Sequence, residues 1–117
     1  MSKAIYAASP ELRAPLGEWL RSLREERGLP LREVAEASGM DLAHLHKIEQ
    51  GQRLPTEEQA DALAKFFRVK APAMQARRIA ERFRHEFAGH PAANQAIAIL
   101  AEDAGLYGTA GPEGRSR

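Results

Sequence analysis

The side chains able to bind or react are the histidines, the carboxylates and a run of basic and amide residues between Lys47 and Arg53. His44 and His46 stand two apart, which on a helix points them to different faces, so they cannot share a metal ion. His85 and His90 are five apart across the break at Gly89. The chain has no cysteine, which removes disulfides, thiolate metal sites and cysteine nucleophiles together. No HExxH-like spacing, glycine-rich phosphate loop or Ser/His/Asp arrangement stands out, so no metal, cofactor or enzymatic activity is expected. Glu25–Glu26 reads as a solvated face. What remains is the run of basic and amide residues from Lys47 to Arg53, hydrogen-bond donors with no catalytic or metal-binding pattern around them.

The stretch that must position them is LREVAEASGMDLAHLHKIEQGQRLP, from Leu31 to Pro55. It predicts a short helix from Leu31 to Ser38, a corner at Gly39–Met40, and a second helix from Leu42 to Gln50 stopped by Gly51. Two short helices joined by a tight glycine turn form a unit that can lay one helix in the DNA major groove. Asp41 is placed to cap the second helix. Leu31, Val34 and Ala35 are expected to be buried, and Leu45 and Ile48 to point inward. Leu42, Ala43, His46 and Lys47 then share the outer face.

Around this unit the pattern is helical throughout. A helix from Pro15 to Arg27 carries Leu16, Leu20 and Leu23 on one stripe and ends at Gly28. Trp19 lies just off that stripe and needs a cover. Thr56-Glu57-Glu58-Gln59 is a capping box, and Ala60, Leu63, Ala64 and Phe67 continue it as a core stripe. These elements predict an all-α domain of four helices over residues 15–70, with two further helices over 71–105. The fifth starts at Pro72, with Ala76, Ile79, Ala80, Phe83 and Phe87 on one stripe and Arg77, Arg78, Glu81, Arg82 and Arg84 opposite. The sixth ends near Asp103, and its breadth of apolar residues (Ala93, Ala96, Ile97, Ile99, Leu100) predicts burial. Residues 1–14 form an arm in which Ser9-Pro10-Glu11 suits a helix start and Lys3, Ile5, Tyr6 and Arg13 offer contacts. Residues 106–117 are Gly/Ser/Pro-rich and expected to fray.

Net charge is +1, and its distribution is even: residues 1–70 hold eleven Lys/Arg and eleven Asp/Glu, and the remainder six and five. An anion-binding surface must therefore come from the placement of charges on faces. Met1 to Pro10 has one lysine, a broken apolar run and an early proline, which does not resemble a secretory leader. No apolar run reaches membrane-spanning length, and the expected location is cytoplasmic.

Taken in order, Leu16-Gly17-Glu18, Leu20-Arg21, Leu23-Arg24-Glu25-Glu26, Gly28-Leu29, Val34-Ala35, Gly39-Met40, Leu45, Lys47-Ile48-Glu49, Gly51, Pro55, Leu63-Ala64 and Phe67 resemble a known pattern. It is that of the Cro/repressor-type (xenobiotic-response-element-like) helix-turn-helix regulators of bacteria and phages. The resemblance covers about Pro15 to Val69. It implies that the helix from Leu42 to Gln50 enters the major groove, with Asp41, Leu42, Ala43, His46 and Lys47 at base edges. It places Leu31, Arg32, Gln50, Gln52 and Arg53 at phosphates, and an ion pair between Arg24 and Glu49 in the scaffold. The chain departs from the pattern at Leu31, where many members carry glutamine, and at Leu42 and Ala43, where many carry amides. Apolar groups contact a thymine methyl but offer no bidentate hydrogen bonds, so readout is expected to lean on Lys47 and on DNA shape.

Half-site recognition favours a two-fold dimer. Ile79, Phe83, Phe87, Ile97 and Leu100 are the residues expected at that interface. The functional expectation is a sequence-specific regulator of transcription, a repressor or autoregulator, binding double-stranded DNA as a homodimer. The alternatives are an antitoxin or a restriction–modification controller whose C-terminal helices hold a protein partner.

Overall fold

The computed structural model describes residues 14–105. The expectations for the arm at Lys3, Ile5, Tyr6, Ser9-Pro10-Glu11 and Arg13, and for the tail at 106–117, lie outside the described residues. Within them the chain is all-helical: α1 (Leu16–Glu26), α2 (Leu31–Ala37), α3 (Leu42–Glu49), α4 (Glu57–Phe67), α5 (Ala71–Phe87) and α6 (Ala93–Asp103).

The helix starts and stops follow local chemistry. Asp41 caps α3, its Oδ2 accepting from the His44 amide at 3.3 Å. Thr56 opens α4 with a complete capping box: its Oγ1 accepts from Gln59 N at 3.0 Å, and Gln59 Oε1 accepts from Thr56 N at 2.9 Å. At the corner between α2 and α3, Gly39 adopts φ +67°, a left-handed conformation that costs glycine nothing sterically. There Gly39 N donates to Glu36 O at 3.2 Å and Met40 N to Ala35 O at 2.8 Å, closing α2 with paired bonds to its last carbonyls. The same closure ends α4, but the left-handed residue there is Arg68, at φ 59° and ψ 40°.

One core holds α1 to α4 together. Leu16, Leu20, Val34, Ala35, Met40, Leu45, Ile48, Ala60, Leu63, Ala64 and Phe67 are all buried in it. Each fully buried large aliphatic or aromatic side chain contributes roughly 1.5–3 kcal/mol. Leu31 is only half-buried at the edge of this core, where full burial was expected. Met74, in the first turns of α5, is also fully buried, so α5 begins inside the same body.

The C-terminal helices depart from simple patterning in two places. Apolar-face-inward packing would turn Arg77, Arg78 and Glu81, which lie opposite the apolar stripe of α5, to solvent, yet this side meets the body. Glu81 is buried, and Arg77 and Arg78 are half-buried. The reason lies at α1. Pro15 occupies its N-cap and supplies no side-chain bond, and Glu81 Oε1 reaches Leu16 N at 3.4 Å. A carboxylate is favoured at a helix N-terminus with unpaired amides. Arg77 lays its guanidinium over the Trp19 ring at 3.8 Å, which is the cover that the indole requires. The second is α6, and it corrects an expectation: none of its residues is buried, although its composition predicted burial. The apolar stripe of α5 and that of α6 flank an open cleft of about 430 Å³ lined by Ile79, Phe83, Ile97 and Leu100 among others.

Candidate nucleic-acid interface

Alternation along α3 decides what it presents. Leu45, Ile48 and Glu49 are buried, which turns Leu42, Ala43, His46 and Lys47 outward, all exposed. Arg32 on α2 and Gln50, Gln52 and Arg53 in the turn after α3 are exposed as well, whereas Leu31 is half-buried. Asp41 is exposed, but one of its oxygens is engaged by the α3 cap.

Three supports fix α3 from behind. Arg24 grips Glu49 with two parallel bonds, Nε to Oε2 at 2.8 Å and Nη2 to Oε1 at 3.0 Å. Its third nitrogen, Nη1, donates to Leu29 O at 3.0 Å. The hydrogen bond to Glu49 is the main cause that raises the Arg24 pKa above its ordinary value, against burial, which lowers it. Pairing also compensates the carboxylate at the end of α3, so Glu49 adds little repulsion toward a polyanion. The second support is close approach. A Cβ built on Gly17 of α1 would sit 2.6 Å from Glu49 O and closer still to Ile48 O, so only glycine admits the last turn of α3 at this distance. The third is His44, whose Nε2 lies 3.1 Å from Gln59 Oε1. Because that oxygen is an acceptor, the ring donates from Nε2, tying α3 to the capping box of α4.

Arg32, His46, Lys47 and Arg53 are thus the exposed basic side chains on α2, α3 and the turn that follows, with Asp41, Glu33 and Glu36 the exposed acids of the same two helices. The sequence pointed to Arg24 with Glu49 through resemblance, and the structure brings the two together. Gly17 and His44 had no signal as positioning residues, because what approaches them comes from distant parts of the chain. Among the described residues, no group of three or more His, Cys, Asp or Glu side chains could hold a metal ion. No helix among them is long and apolar enough to cross a membrane.

A family model described as a helix-turn-helix domain matches residues 15–77. The chain belongs to this helix-turn-helix family. The matched region runs from the start of α1 into α5, and so includes Met74 and Arg77, two of the residues that seat α5 on the body. Two curated relatives, each named an uncharacterized HTH-type transcriptional regulator of Mycobacterium tuberculosis (strains CDC 1551 / Oshkosh and ATCC 25618 / H37Rv), are 34% identical over 61 residues. The alignment takes in 52% of this chain and 44% of each relative, so the chain spans under half the length of the curated relatives it matches. No solved structure matches the helix-turn-helix chain.

Proposed function

We propose that this helix-turn-helix chain is a DNA-binding transcriptional regulator that docks α3 in the major groove. The observation that carries the reading is the split of α3 itself. Leu45, Ile48 and Glu49 are locked into the body, while Leu42, Ala43, His46 and Lys47 are exposed, as are Arg32 on α2 and Arg53 in the turn after α3. In this reading Lys47 and His46 supply donors to acceptor-rich base edges, guanine above all. Arg32, Gln50, Gln52 and Arg53 contact phosphates and set the register, with the edge residue Leu31 close by. Asp41 acts mainly as the cap. The names of the mycobacterial relatives support transcriptional regulation as the role.

The regulator acts as a homodimer on a pseudo-palindrome and represses by occupying promoter DNA. Support for the dimer comes from the C-terminal pair of helices. Ile79, Phe87, Ile97 and Leu100 are exposed, and half-buried Phe83 packs against Phe87 with tilted rings, centroids 5.0 Å apart. Exposed apolar surface of this extent marks an interface. Charge differs as well: Arg82 and Arg84 of α5 are exposed, while α6 carries the exposed Glu102 and no Lys or Arg. A two-fold that sets α5 against α6 of the partner matches these signs. Reading two half-sites on successive grooves requires two copies of α3 about 34 Å apart.

Selection from a random duplex pool with the full chain tests the reading. Enrichment of a motif with inverted-repeat symmetry is the expected result. A pool that enriches no motif at low salt refutes specific DNA binding.

A further inference from the structure

Within α1 to α4, Leu42 is the one large apolar side chain classed as exposed among the described residues, at 38%; the others belong to α5 and α6. It follows the Asp41 cap directly, and Ala43 beside it is exposed too. Of the neighbouring polar groups, the His44 ring is engaged with Gln59 at 3.1 Å and Asp41 Oδ2 with the His44 amide at 3.3 Å, which leaves Asp41 Oδ1 as an acceptor. The first two residues of α3 therefore offer methyl groups where a donor or acceptor would be needed to pair with a base edge. His46 and Lys47 stand four residues further on, one helical turn or about 5.4 Å along the axis.

We propose that Leu42 and Ala43 read the C5-methyl group of a pyrimidine in the major groove. This rests on the DNA-docking reading above and assigns chemistry to the front of the same helix. The C5-methyl is the apolar feature that a base pair shows in that groove; the other positions carry amino groups or acceptors. An aliphatic side chain pressed on a methyl removes both from water. Pressed on a bare amino group or carbonyl, it leaves a polar group without a partner, which is costly. Leu42 thus selects twice, by accepting a methyl and by rejecting exposed polar edges. Thymine and 5-methylcytosine both carry the group.

The test takes the duplex preferred by the full chain and replaces its thymines one at a time by deoxyuridine, which lacks the methyl. In a second series its cytosines are replaced one at a time by 5-methylcytosine. The expected result is a loss of about fourfold in affinity per critical methyl removed, which corresponds to about 0.8 kcal/mol for one buried methylene-sized group. A deoxyuridine loss identifies thymine as the source, and a 5-methylcytosine gain identifies the methylated cytosine. Leu42→Ala, at an exposed site and to a better helix former, should reduce the discrimination while leaving the fold intact. If every substituted duplex binds like its parent, or if Leu42→Ala keeps the full discrimination, the proposal is overturned. A motif that is enriched but indifferent to methyls defeats this proposal alone. A pool that enriches nothing defeats the docking reading and this proposal with it.

Discussion

Arg24→Ala is the substitution whose cost follows most directly from the structure. The side chain of Glu49 is 5% exposed and that of Arg24 16%, so removing the guanidinium leaves a carboxylate in the interior without its two donors. Breaking a buried pair from one side costs roughly 3–5 kcal/mol, a large share of the 5–15 kcal/mol that holds a typical domain folded. Glu49→Ala should cost less, because Arg24 keeps its bond to Leu29 O and has the longer reach to water. The double change Arg24→Met with Glu49→Leu removes both charges and should cost only about 0–2 kcal/mol, chiefly the lost bond to Leu29. Urea unfolding of the full chain gives each value, and the cycle gives the coupling. The raised Arg24 pKa sets the pH behaviour of its share. That share is fully present below the unfolded-state value and is lost only as pH rises through the folded-state value, so it stays constant through neutral pH. If Arg24→Ala costs under about 1 kcal/mol, or if the double change costs the sum of the singles, the pair is not a clamp on α3.

Gly17→Ala forces α1 away from two carbonyls that cannot yield, and should destabilise the chain by about 1–3 kcal/mol while weakening DNA binding further by tilting α3; thermal unfolding and duplex titration measure the two effects. Arg68→Gly relieves the left-handed backbone at the end of α4 and should raise stability by about 0.5–1 kcal/mol in the same urea assay, the steric gain less the added entropy of unfolded glycine. Ile97→Ser with Leu100→Ser changes only exposed side chains, so the monomer fold should persist while sedimentation shifts from dimer to monomer; an undiminished dimer would move the interface away from α6.

The features legible in the sequence were those written in short-range pattern. The Thr56–Gln59 box and the Asp41 cap are set by residues three apart, and the burial of Leu45 and Ile48 follows from helical period alone. Trp19 announced that it needed a cover, but not that Arg77, far along the chain, would provide it. Which face of α5 meets the body was not legible, for a related reason. Periodicity favours burying Ile79, Phe83 and Phe87, but an uncapped α1 draws Glu81 across 65 residues, and this contact with Met74 turns the helix the other way. No local rule reports which amide lacks a cap partner once the chain has folded. Gly17 shows the same limit: a glycine inside a helix is visible, and the carbonyls that require it are not. At the interface, the outward residues of α3 were legible from their spacing. The supports behind them, His44 with Gln59 and α1 against the last turn of α3, were not.

The proposed docking divides the work between base reading on α3 and phosphate holding in the turn after it. It is tested most directly by running random-pool selections and salt titrations on Lys47→Ala and Arg53→Ala side by side. Lys47→Ala should change which sequences are enriched. Arg53→Ala should keep the same motif, weaken all sequences alike and reduce the salt slope by about 1. Identical behaviour of the two variants, or an enriched motif that neither changes in sequence nor in affinity, would contradict it.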